Sequence, residues 1–492
     1  MNVPIGRRLG SRRSLAAALA AVATLILLAA PTMAASLTLL QLSSDPYTNT
    51  TSQHATEVEP DTLSAGSTIV SAFQVGRFFN GGASNIGFAT SSNGGRSWTA
   101  GFLPASTVFA TPAGAYARAS DPVVAHDARH GVWLISWLGI VNPAGPVDLL
   151  VSRSTDGLTW GNPVVVTADG HFNDKNWTAC DNTASSPFYG NCYTEFDDNT
   201  LGDLIQMSTS SDGGLNWAAA LPTADTAHGI GGLPVIQPDG NVVVPINGFA
   251  GNTFLMLSFT SGDGGASWSK THIINHVAFH HAAGGIRDSF PLPSADVDAM
   301  GTIYVVWQDC HFETTCNASD LVLSTSSDGV KWSKLTRLPL DPVGSGVDHF
   351  IPGLAVEPST SDSSAHLVVT YYYYPVAGCT AATCQLDVGF STSTDGGATW
   401  TSTTQIAGPM SLSWLPSTTQ GVMVGDYIST SFTGSAAYPA MAVANAPSGG
   451  TFDEAIYSVR GGLTAGANAI SGQISNLSNS PAALTSSSLA DQ

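Results

Sequence analysis

Charged and polar side chains recur at one position of a repeated pattern, immediately before or at the start of a predicted β-strand. Their types suit three kinds of chemistry: a cation binds an anion, a carboxyl group moves a proton, and a tyrosine hydroxyl attacks as a nucleophile. The candidates for catalytic roles are Asp121, Asp174, Asp426 and Tyr427. The candidates for binding a substrate are Arg118, Lys175, Arg287, Asp288, His228, His349 and Glu57.

Basic residues are scarce in this chain, which makes their placement informative. Lys and Arg total 16 against 36 Asp and Glu. Arg118, Lys175 and Arg287 nevertheless all occupy the recurring position. Cations and carboxylates that converge there would shift one another's pKa values, as groups in active sites do. For any single residue the alternative is structural, because an Asp or Asn before a strand also caps a turn.

A second pattern, Ser-x-Asp-x-Gly-x-x-Trp or a close variant, occurs six times and indicates how the chain holds these residues. Each copy follows an alternating apolar segment such as Asp148 to Ser152, so it predicts the turn of a β-hairpin. Asp or Asn can bond backbone amides there, and Gly supplies positive φ. The first copy has Asn93, and the aspartates of the others are predicted to be structural: Asp156, Asp212, Asp263, Asp328 and Asp395.

The turn motif is one part of a longer unit of four strands. The Trp residues that end successive copies lie 62, 57, 51, 64 and 68 residues apart, and a four-stranded propeller blade takes about 40 to 50 residues. Seven units begin near His54, Arg118, Phe172, His228, Arg287, Asp348 and Gly425. The sequence therefore predicts an all-β protein, a β-propeller of four-stranded blades at residues 36–462. Seven blades are favoured, with six as the alternative, and Leu37 to Leu42 is a candidate strand to close the ring.

The six copies resemble the Asp-box, or BNR repeat, of sialidases and other propeller proteins. In a propeller the first strand of each blade lines the central channel, which places the charged candidates at the channel mouth. The resemblance implies a secreted sialidase-like protein that binds a carbohydrate or glycoconjugate there and, as an exo-α-sialidase, hydrolyses terminal sugars. It also implies six blades, as in sialidases, where the unit count gives seven.

Sialidases hold the sugar carboxylate with three arginines, use an Asp as acid and base, and attack through a Tyr that a Glu activates. By resemblance, Arg118 and Arg287 correspond to two arginines, Tyr427 to the nucleophile, and Asp121 or Asp174 to the acid. The Phe-Arg-Ile-Pro signature is absent, and residues 54–57 read His-Ala-Thr-Glu in its place. Arg77 lies at the end of the second strand of unit one. A non-catalytic binding module therefore stays open, as does an endo-acting glycosidase or a lyase.

Six cysteines form three close pairs along the sequence: Cys180 with Cys192, Cys310 with Cys316, and Cys379 with Cys384. In an exported protein this proximity favours three local disulfides, on units three, five and six. A zinc site is the alternative, but the spacings do not match a zinc pattern. We expect no cofactor, and Ca²⁺ is the one ion that the acidic loops would suit.

Residues 1–34 are predicted to be an export signal. Arg7, Arg8, Arg12 and Arg13 precede an apolar run from Leu15 to Ala30 and a small-residue cleavage site. The Arg12-Arg13 pair also resembles a twin-arginine signal, which together with export favours a bacterial protein that is secreted. Residues 463–492 are rich in Ala, Ser and Asn without periodicity, and are predicted to be a solvated tail.

The overall charge restricts the partners. The chain carries a formal net charge of −20, and removal of the four signal arginines makes it more acidic. Phosphate binding needs clustered Lys and Arg, so nucleic acid is excluded as a partner. After removal of the signal we expect no membrane span, and we expect a monomer.

Overall fold

Short antiparallel strands in consecutive groups of four make up most of the chain. The computed structural model describes Met1, residues 37–251, 253–288 and 290–466, and the strand Ser475–Asn476. The predicted export signal and most of the predicted tail lie outside these residues. Within them the helical segments are four 3₁₀ turns, at Asn199–Leu201, Ala283–Gly285, Asp362–Ser364 and Leu412–Trp414. The predicted all-β class is confirmed.

An N-terminal strand and two groups of four open the described chain. They are β1 (Thr38–Gln41); β2 (Gln53–Ala65), β3 (Thr68–Arg77), β4 (Ala83–Ser91) and β5 (Thr99–Phe102); and β6 (Arg118–Asp127), β7 (Val132–Ile140), β8 (Val147–Ser154) and β9 (Val164–Thr167).

Three further groups follow. They are β10 (Asn173–Cys180), β11 (Cys192–Asp198), β12 (Leu204–Ser210) and β13 (Leu221–Pro222); β14 (Gly229–Ile230), β15 (Val235–Ile236), β16 (Val242–Ala250), β17 (Thr253–Ser261) and β18 (His272–His276); and β19 (Ser294–Val297), β20 (Ile303–Asp309), β21 (Asp320–Ser326) and β22 (Thr336–Arg337). In the middle group β14 and β15 both pair with β16, so together they form one interrupted first strand.

The last groups complete the described chain. They are β23 (His349–Val356), β24 (Leu367–Tyr373), β25 (Gln385–Ser393) and β26 (Thr404–Ser411); the hairpin β27 (Ser417–Thr418) and β28 (Gly421–Val422); β29 (Ser429–Thr433), β30 (Ala436–Ala444) and β31 (Glu454–Val459); and the short β32 (Leu463–Thr464) and β33 (Ser475–Asn476). The segment Leu37 to Leu42 contains β1, which pairs antiparallel with β31, Leu39 opposite Val459. The N-terminal strand thus supplies the fourth strand of the last group.

The strands form because their apolar residues are buried between neighbouring groups. β7 reads V-W-L-I-S-W-L-G-I and is buried along almost its whole length, as a strand covered on both faces should be. Val70 and Ile86 of the first group share one apolar cluster with Ile135 and Trp137 of the second. Neighbouring first strands are also joined by side chains: Asp61 of β2 accepts a 2.7 Å hydrogen bond from the Val124 amide of β6.

The repeated turn motifs lie between the third and fourth strands of their groups and bond to their own backbone. In the copy at Asp263 the carboxylate accepts hydrogen bonds from the Ser267 amide at 3.0 Å and from the Ser261 hydroxyl at 2.8 Å. The Gly265 amide donates to that same hydroxyl at 3.0 Å. Because the motif aspartates hold turns, they act on stability rather than on chemistry.

Replacing Asp263 by Ala is expected to lower the free energy of unfolding by about 1 kcal/mol, because the turn loses its shared acceptor. Chemical denaturation measures the change. Asp263→Asn is the matched control and should lose less, since Asn93 occupies the same place in the first copy and accepts amide bonds from Arg96 and Ser97. A fall in ligand binding without a fall in stability would contradict the structural role.

The three predicted cysteine pairs are joined as disulfides. Cys180–Cys192 links β10 to β11 directly, and Cys310–Cys316 and Cys379–Cys384 each close a short loop. No described cysteine is free, and bonded pairs of this kind are consistent with an oxidising, extracellular setting. Among the described residues, none of the helical segments has the length and apolar character that a membrane crossing requires.

Candidate functional site

The first strands of four groups are interrupted by a β-bulge near their beginning. At each bulge one non-glycine residue has left-handed backbone angles, with φ of 54°, 48°, 49° and 52° at Glu59, Asp121, Lys175 and Ile351. The strand pairing shifts register at the same places. Such backbone is costly for residues with a Cβ, and bulges often redirect side chains beside functional sites. Three of the four residues are charged, and those three line one cavity.

This central cavity has a volume of about 480 Å³ and is formed where the first strands begin. Its charged residues come from separate groups of strands: Glu59, Arg77, Asp121, Asp174, Lys175, Arg287, Asp288 and Asp426. Six of the predicted candidates are thereby brought together: Asp121, Asp174, Asp426, Lys175, Arg287 and Asp288. A cavity on which polar and charged groups converge is the usual form of a small-ligand site.

Lys175 lies at the centre of the charged groups. Its Nζ is 3.5 Å from an oxygen of Asp121 and 3.5 Å from an oxygen of Asp426, and the side chain is 8% exposed. Asp426 also forms an ion pair with Arg287. Burial alone lowers the pKa of Lys175, but Asp121, Asp426 and Glu59 outweigh burial and hold this pKa above its usual value. Lys175 therefore stays charged and ties two carboxylates together.

Two arginines approach each other across the cavity. Nε of Arg77 lies 3.1 Å from the sulfur of Met423, and Nη1 of Arg287 lies 3.8 Å from the same atom. Arg77 is 3% exposed and donates to the Gly82 carbonyl at 3.0 Å. Burial lowers the pKa of Arg77; Glu59 opposes this and Arg287 adds to it. The two guanidinium groups therefore lie beside the same methionine.

Glu59 belongs to a buried chain of hydrogen bonds that runs through Gln74 and Ser120 to Asp121. Gln74 donates to Glu59 and, at 3.1 Å, to the hydroxyl of Ser120, which itself donates to Asp121 at 2.6 Å. Burial, with Asp121 adding to it, raises the pKa of Glu59 to about 8. At neutral pH this carboxyl therefore holds its proton in a large fraction of molecules.

Asp174 is the carboxyl group whose proton can be exchanged at mildly acidic pH. It lines the cavity, and one of its oxygens accepts the Lys175 amide at 3.0 Å. Burial and the negative charge of Asp121 raise the pKa of Asp174 to about 6. Asp197, opposite Asp174 in the strand pairing, is buried, and burial with the charge of Asp174 raises the pKa of Asp197 well above its usual value. A carboxyl group with a pKa raised in this way can take up and release a proton near pH 6.

Tyr427 lies beneath the cavity with its hydroxyl already engaged. The hydroxyl donates to the Pro122 carbonyl at 3.0 Å, and Lys175 Nζ lies 4.6 Å from the centre of the tyrosine ring. Burial and the charge of Glu59 raise the pKa of Tyr427 well above its usual value. A nucleophilic tyrosine needs the opposite shift, so the structure places Tyr427 as a support for Lys175.

Four other predicted binding residues do not line the cavity, although Arg118 borders it through the lining residues Asn80 and Gly81. Arg118 lies over the ring of Phe78 at 4.0 Å and donates to Asn80 at 2.8 Å. Glu57 accepts from Ser43 at 2.8 Å, away from the cavity lining, and burial raises its pKa to about 8. His228 bonds the Gly202 carbonyl at 2.7 Å. His349 is buried, and burial lowers its pKa to about 4.

The surroundings of His349 also bear on metal binding. His349 lies with Asp320 and Asp341 in a group whose ligand atoms are close enough to hold an ion. Arg337 already pairs with both aspartates, at 2.7 Å from Asp320. This arginine supplies the positive charge that a metal ion would bring.

Two residues of the cavity were missed among the sequence candidates. Glu59 stands two positions after Glu57, and the bulge in β2 turns Glu59 rather than Glu57 to the cavity. Arg77 is the last residue of β3. Because the candidates were taken from the starts of first strands, Arg77 was not among them. A sequence signal existed for Arg77, since it is one of few basic residues in the chain.

Comparison with known proteins yields structural likeness alone. No protein-family profile and no curated protein sequence matches the chain. An ulvan lyase of polysaccharide lyase family PL25 is 11% identical with a TM-score of 0.50, covering 88% of this chain and 97% of the lyase. The Hadza microbial sialidase Hz136 is 14% identical over 86% of this chain and 92% of its own, with a TM-score of 0.45. NanB sialidase from Streptococcus pneumoniae is 12% identical over 85% and 70%, with a TM-score of 0.43.

Proposed function

We propose that the protein is a seven-bladed β-propeller that acts on carbohydrate. The described residues contain seven successive groups of four strands, the last completed by β1. Six turn motifs mark six of these groups. The overall fold is shared with a polysaccharide lyase, and that lyase was also solved with a chain of GlcA and Rha3S bound. Fold alone does not determine activity, so the site must carry the function.

The cavity is suited to a terminal sugar that bears a carboxylate, and to hydrolysis of its glycosidic bond. The observation that carries this proposal is the convergence of Arg77, Lys175 and Arg287 on one cavity in a chain with only 16 basic residues. Guanidinium groups bind a carboxylate through paired hydrogen bonds. The neighbouring Asp174 has the raised pKa that a general acid requires. The two features together support the proposal, because both lie at one cavity.

The roles follow from the surroundings of each group. Arg287 and Arg77 hold the substrate carboxylate, and Asp174 donates its proton to the departing glycosidic oxygen. Asp121, fixed between Ser120 and Lys175, accepts a proton from the attacking water. Asp426 keeps Lys175 and Arg287 in position. Because the hydroxyl of Tyr427 donates to Pro122, the water attacks directly and no tyrosyl intermediate forms.

The assay uses fluorogenic sialosides and glucuronides between pH 4 and pH 8, with analysis of the products. Hydrolysis releases a saturated acidic sugar. A lyase would instead leave a carbon–carbon double bond, which absorbs ultraviolet light. Failure of folded protein to release the fluorophore from either class at any pH would overturn the hydrolase.

A non-catalytic binding module is the second candidate, and one observation favours it. Asp426 already forms ion pairs with both Lys175 and Arg287, as it would in a preformed recognition site. Binding of acidic sugars by titration calorimetry, without release of product, identifies this case. In both cases we propose that the protein is exported, secreted and monomeric, with the signal at residues 1–34 removed.

Replacing Arg287 by Ala is expected to weaken binding of the acidic sugar about 10- to 100-fold, because one charge-assisted pair of hydrogen bonds is lost. Calorimetry with sialic acid and glucuronic acid measures the change. Arg96→Ala removes an exposed arginine far from the cavity and should leave affinity unaltered. Equal affinities in the Arg287 variant and the parent protein would exclude this arginine from carboxylate binding.

A further inference from the structure

Exposed aromatic side chains are confined to one place on the described surface. Among the described residues only three aromatic side chains of the Phe, Tyr and Trp types are exposed: Phe79 at 52%, Phe172 at 39% and Phe290 at 40%. Phe172 and Phe290 line the central cavity. The Phe79 carbonyl accepts a 3.1 Å hydrogen bond from the amide of Thr419, another lining residue. We call these three residues the aromatic rim.

Phe290 is held in place by other aromatic rings. Its ring centre lies 4.9 Å from that of Phe254, 6.1 Å from that of Phe249 and 6.4 Å from that of Phe279. These distances are those of favourable aromatic pairs. The ring is therefore fixed before any ligand arrives, and its exposed part offers a preformed surface.

Phe172 is positioned through its backbone. Its amide donates to the hydroxyl of Thr200 at 2.8 Å, and its carbonyl accepts the Asn199 amide at 2.9 Å. Among the described residues the ring of Phe172 packs against no other aromatic ring, whereas hydrogen bonds fix its backbone. Exposing a phenylalanine at such a place costs hydrophobic burial, which makes a ligand contact the natural explanation.

The lining residues beside the rim differ in charge from those deeper in the cavity. Asn80, Thr419 and Gln420 are neutral and polar, while the cations and carboxylates cluster around Lys175. A ligand that suits both zones carries its charge at one end and continues as neutral units. The apolar C–H face of a pyranose ring packs on an aromatic ring, and its hydroxyls bond amide and hydroxyl side chains.

We propose that the aromatic rim binds the neutral sugar units that follow the acidic terminal sugar, so that the preferred ligand is an oligosaccharide chain. This inference rests on the proposed function, because it takes the acidic sugar to lie at Arg287. It adds a second zone of recognition, made by Phe79, Phe172 and Phe290.

The experiment compares ligands of two lengths by titration calorimetry, in a protein carrying Asp174→Asn so that the ligand is not consumed. The matched pairs are sialic acid with sialyllactose, and glucuronic acid with a glucuronate-terminated trisaccharide. The longer ligand of at least one pair is expected to bind about tenfold more tightly. Phe290→Ala and Phe172→Ala should each remove about threefold of this gain, the size of one aromatic contact, without altering affinity for the monosaccharide.

Two control variants separate recognition from stability. Phe290→Tyr keeps the ring and should keep the gain, and Val343→Ala removes an exposed apolar side chain, 64% exposed, that is not part of the rim. Thermal unfolding checks that each variant is folded. Equal affinity for both lengths, or Ala variants that retain the gain, would overturn the aromatic subsite while the proposed function stands. Absence of binding by all four ligands would overturn both.

Discussion

Replacing Asp174 by Asn is expected to lower kcat for a glycoside about 10²- to 10⁴-fold, the usual contribution of a general acid. The amide cannot protonate the leaving oxygen, but its oxygen can still accept the Lys175 amide that Asp174 bonds at 3.0 Å. The local backbone should therefore persist. Release of fluorophore under saturating substrate measures the loss. Asp239→Asn, at an exposed turn, is the control and should retain full activity.

The pH profile distinguishes an acid from a structural carboxylate. Burial and the charge of Asp121 raise the pKa of Asp174 to about 6, so the carboxyl is protonated below pH 6 and loses its proton above it. The activity of the parent protein should therefore fall as pH rises through 6. The activity of the Asn variant should not fall in this way as pH rises through 6. If the variant keeps both the rate of the parent protein and this fall in activity, Asp174 is not the acid.

The fold was largely accessible from the sequence because its signals are local and repeated. Each turn motif carries its own hydrogen-bond acceptor, as Asp263 does for Ser267, and needs no distant contact to be recognised. The spacing of these motifs indicated the starts of the groups, and β2, β6 and β23 begin within one residue of the predicted His54, Arg118 and Asp348. The pairing of β1 with β31 joins the N-terminal strand to the last group of strands. The apolar segment before the first unit had already indicated that a strand lies at this position in the sequence.

The site was only partly accessible, because its side chains are aimed by backbone detail. Asp121 and Lys175 reach the cavity from bulges with positive φ, a conformation that is uncommon for any residue other than glycine. The same kind of bulge in β2 turns Glu59 to the cavity, whereas Glu57 contacts Ser43. His349 occupies the predicted position at the start of a strand but lies beside Asp320 and Arg337. The position of a residue along a strand indicates at which end of the strands it lies. The local bend of the backbone decides which way its side chain points.

Replacing Lys175 by Met is expected to lower the free energy of unfolding at pH 7 by about 3 to 5 kcal/mol, the usual cost of leaving a buried charge unpaired. Lys175 is 8% exposed, and its Nζ lies 3.5 Å from the oxygens of both Asp121 and Asp426. Arg287 still pairs with Asp426, but Asp121 loses its ion-pair partner. Chemical denaturation of the parent and the variant measures the difference. Lys334→Met, on an exposed turn, should change stability by less than about 0.5 kcal/mol.

Acid should rescue the Lys175 variant. Without the lysine, protonation of the nearby carboxylates stabilises the folded state. The folded state therefore binds more protons than the unfolded chain over the mildly acidic range. Stability of the variant relative to the parent must then fall as pH rises from 4 to 7. A deficit that is as large at pH 4 as at pH 7 would show that packing of the lysine stem on Tyr427 stabilises the site. A deficit confined to neutral pH would show that the positive charge holds the two aspartates together, which is the arrangement that the proposed reaction requires.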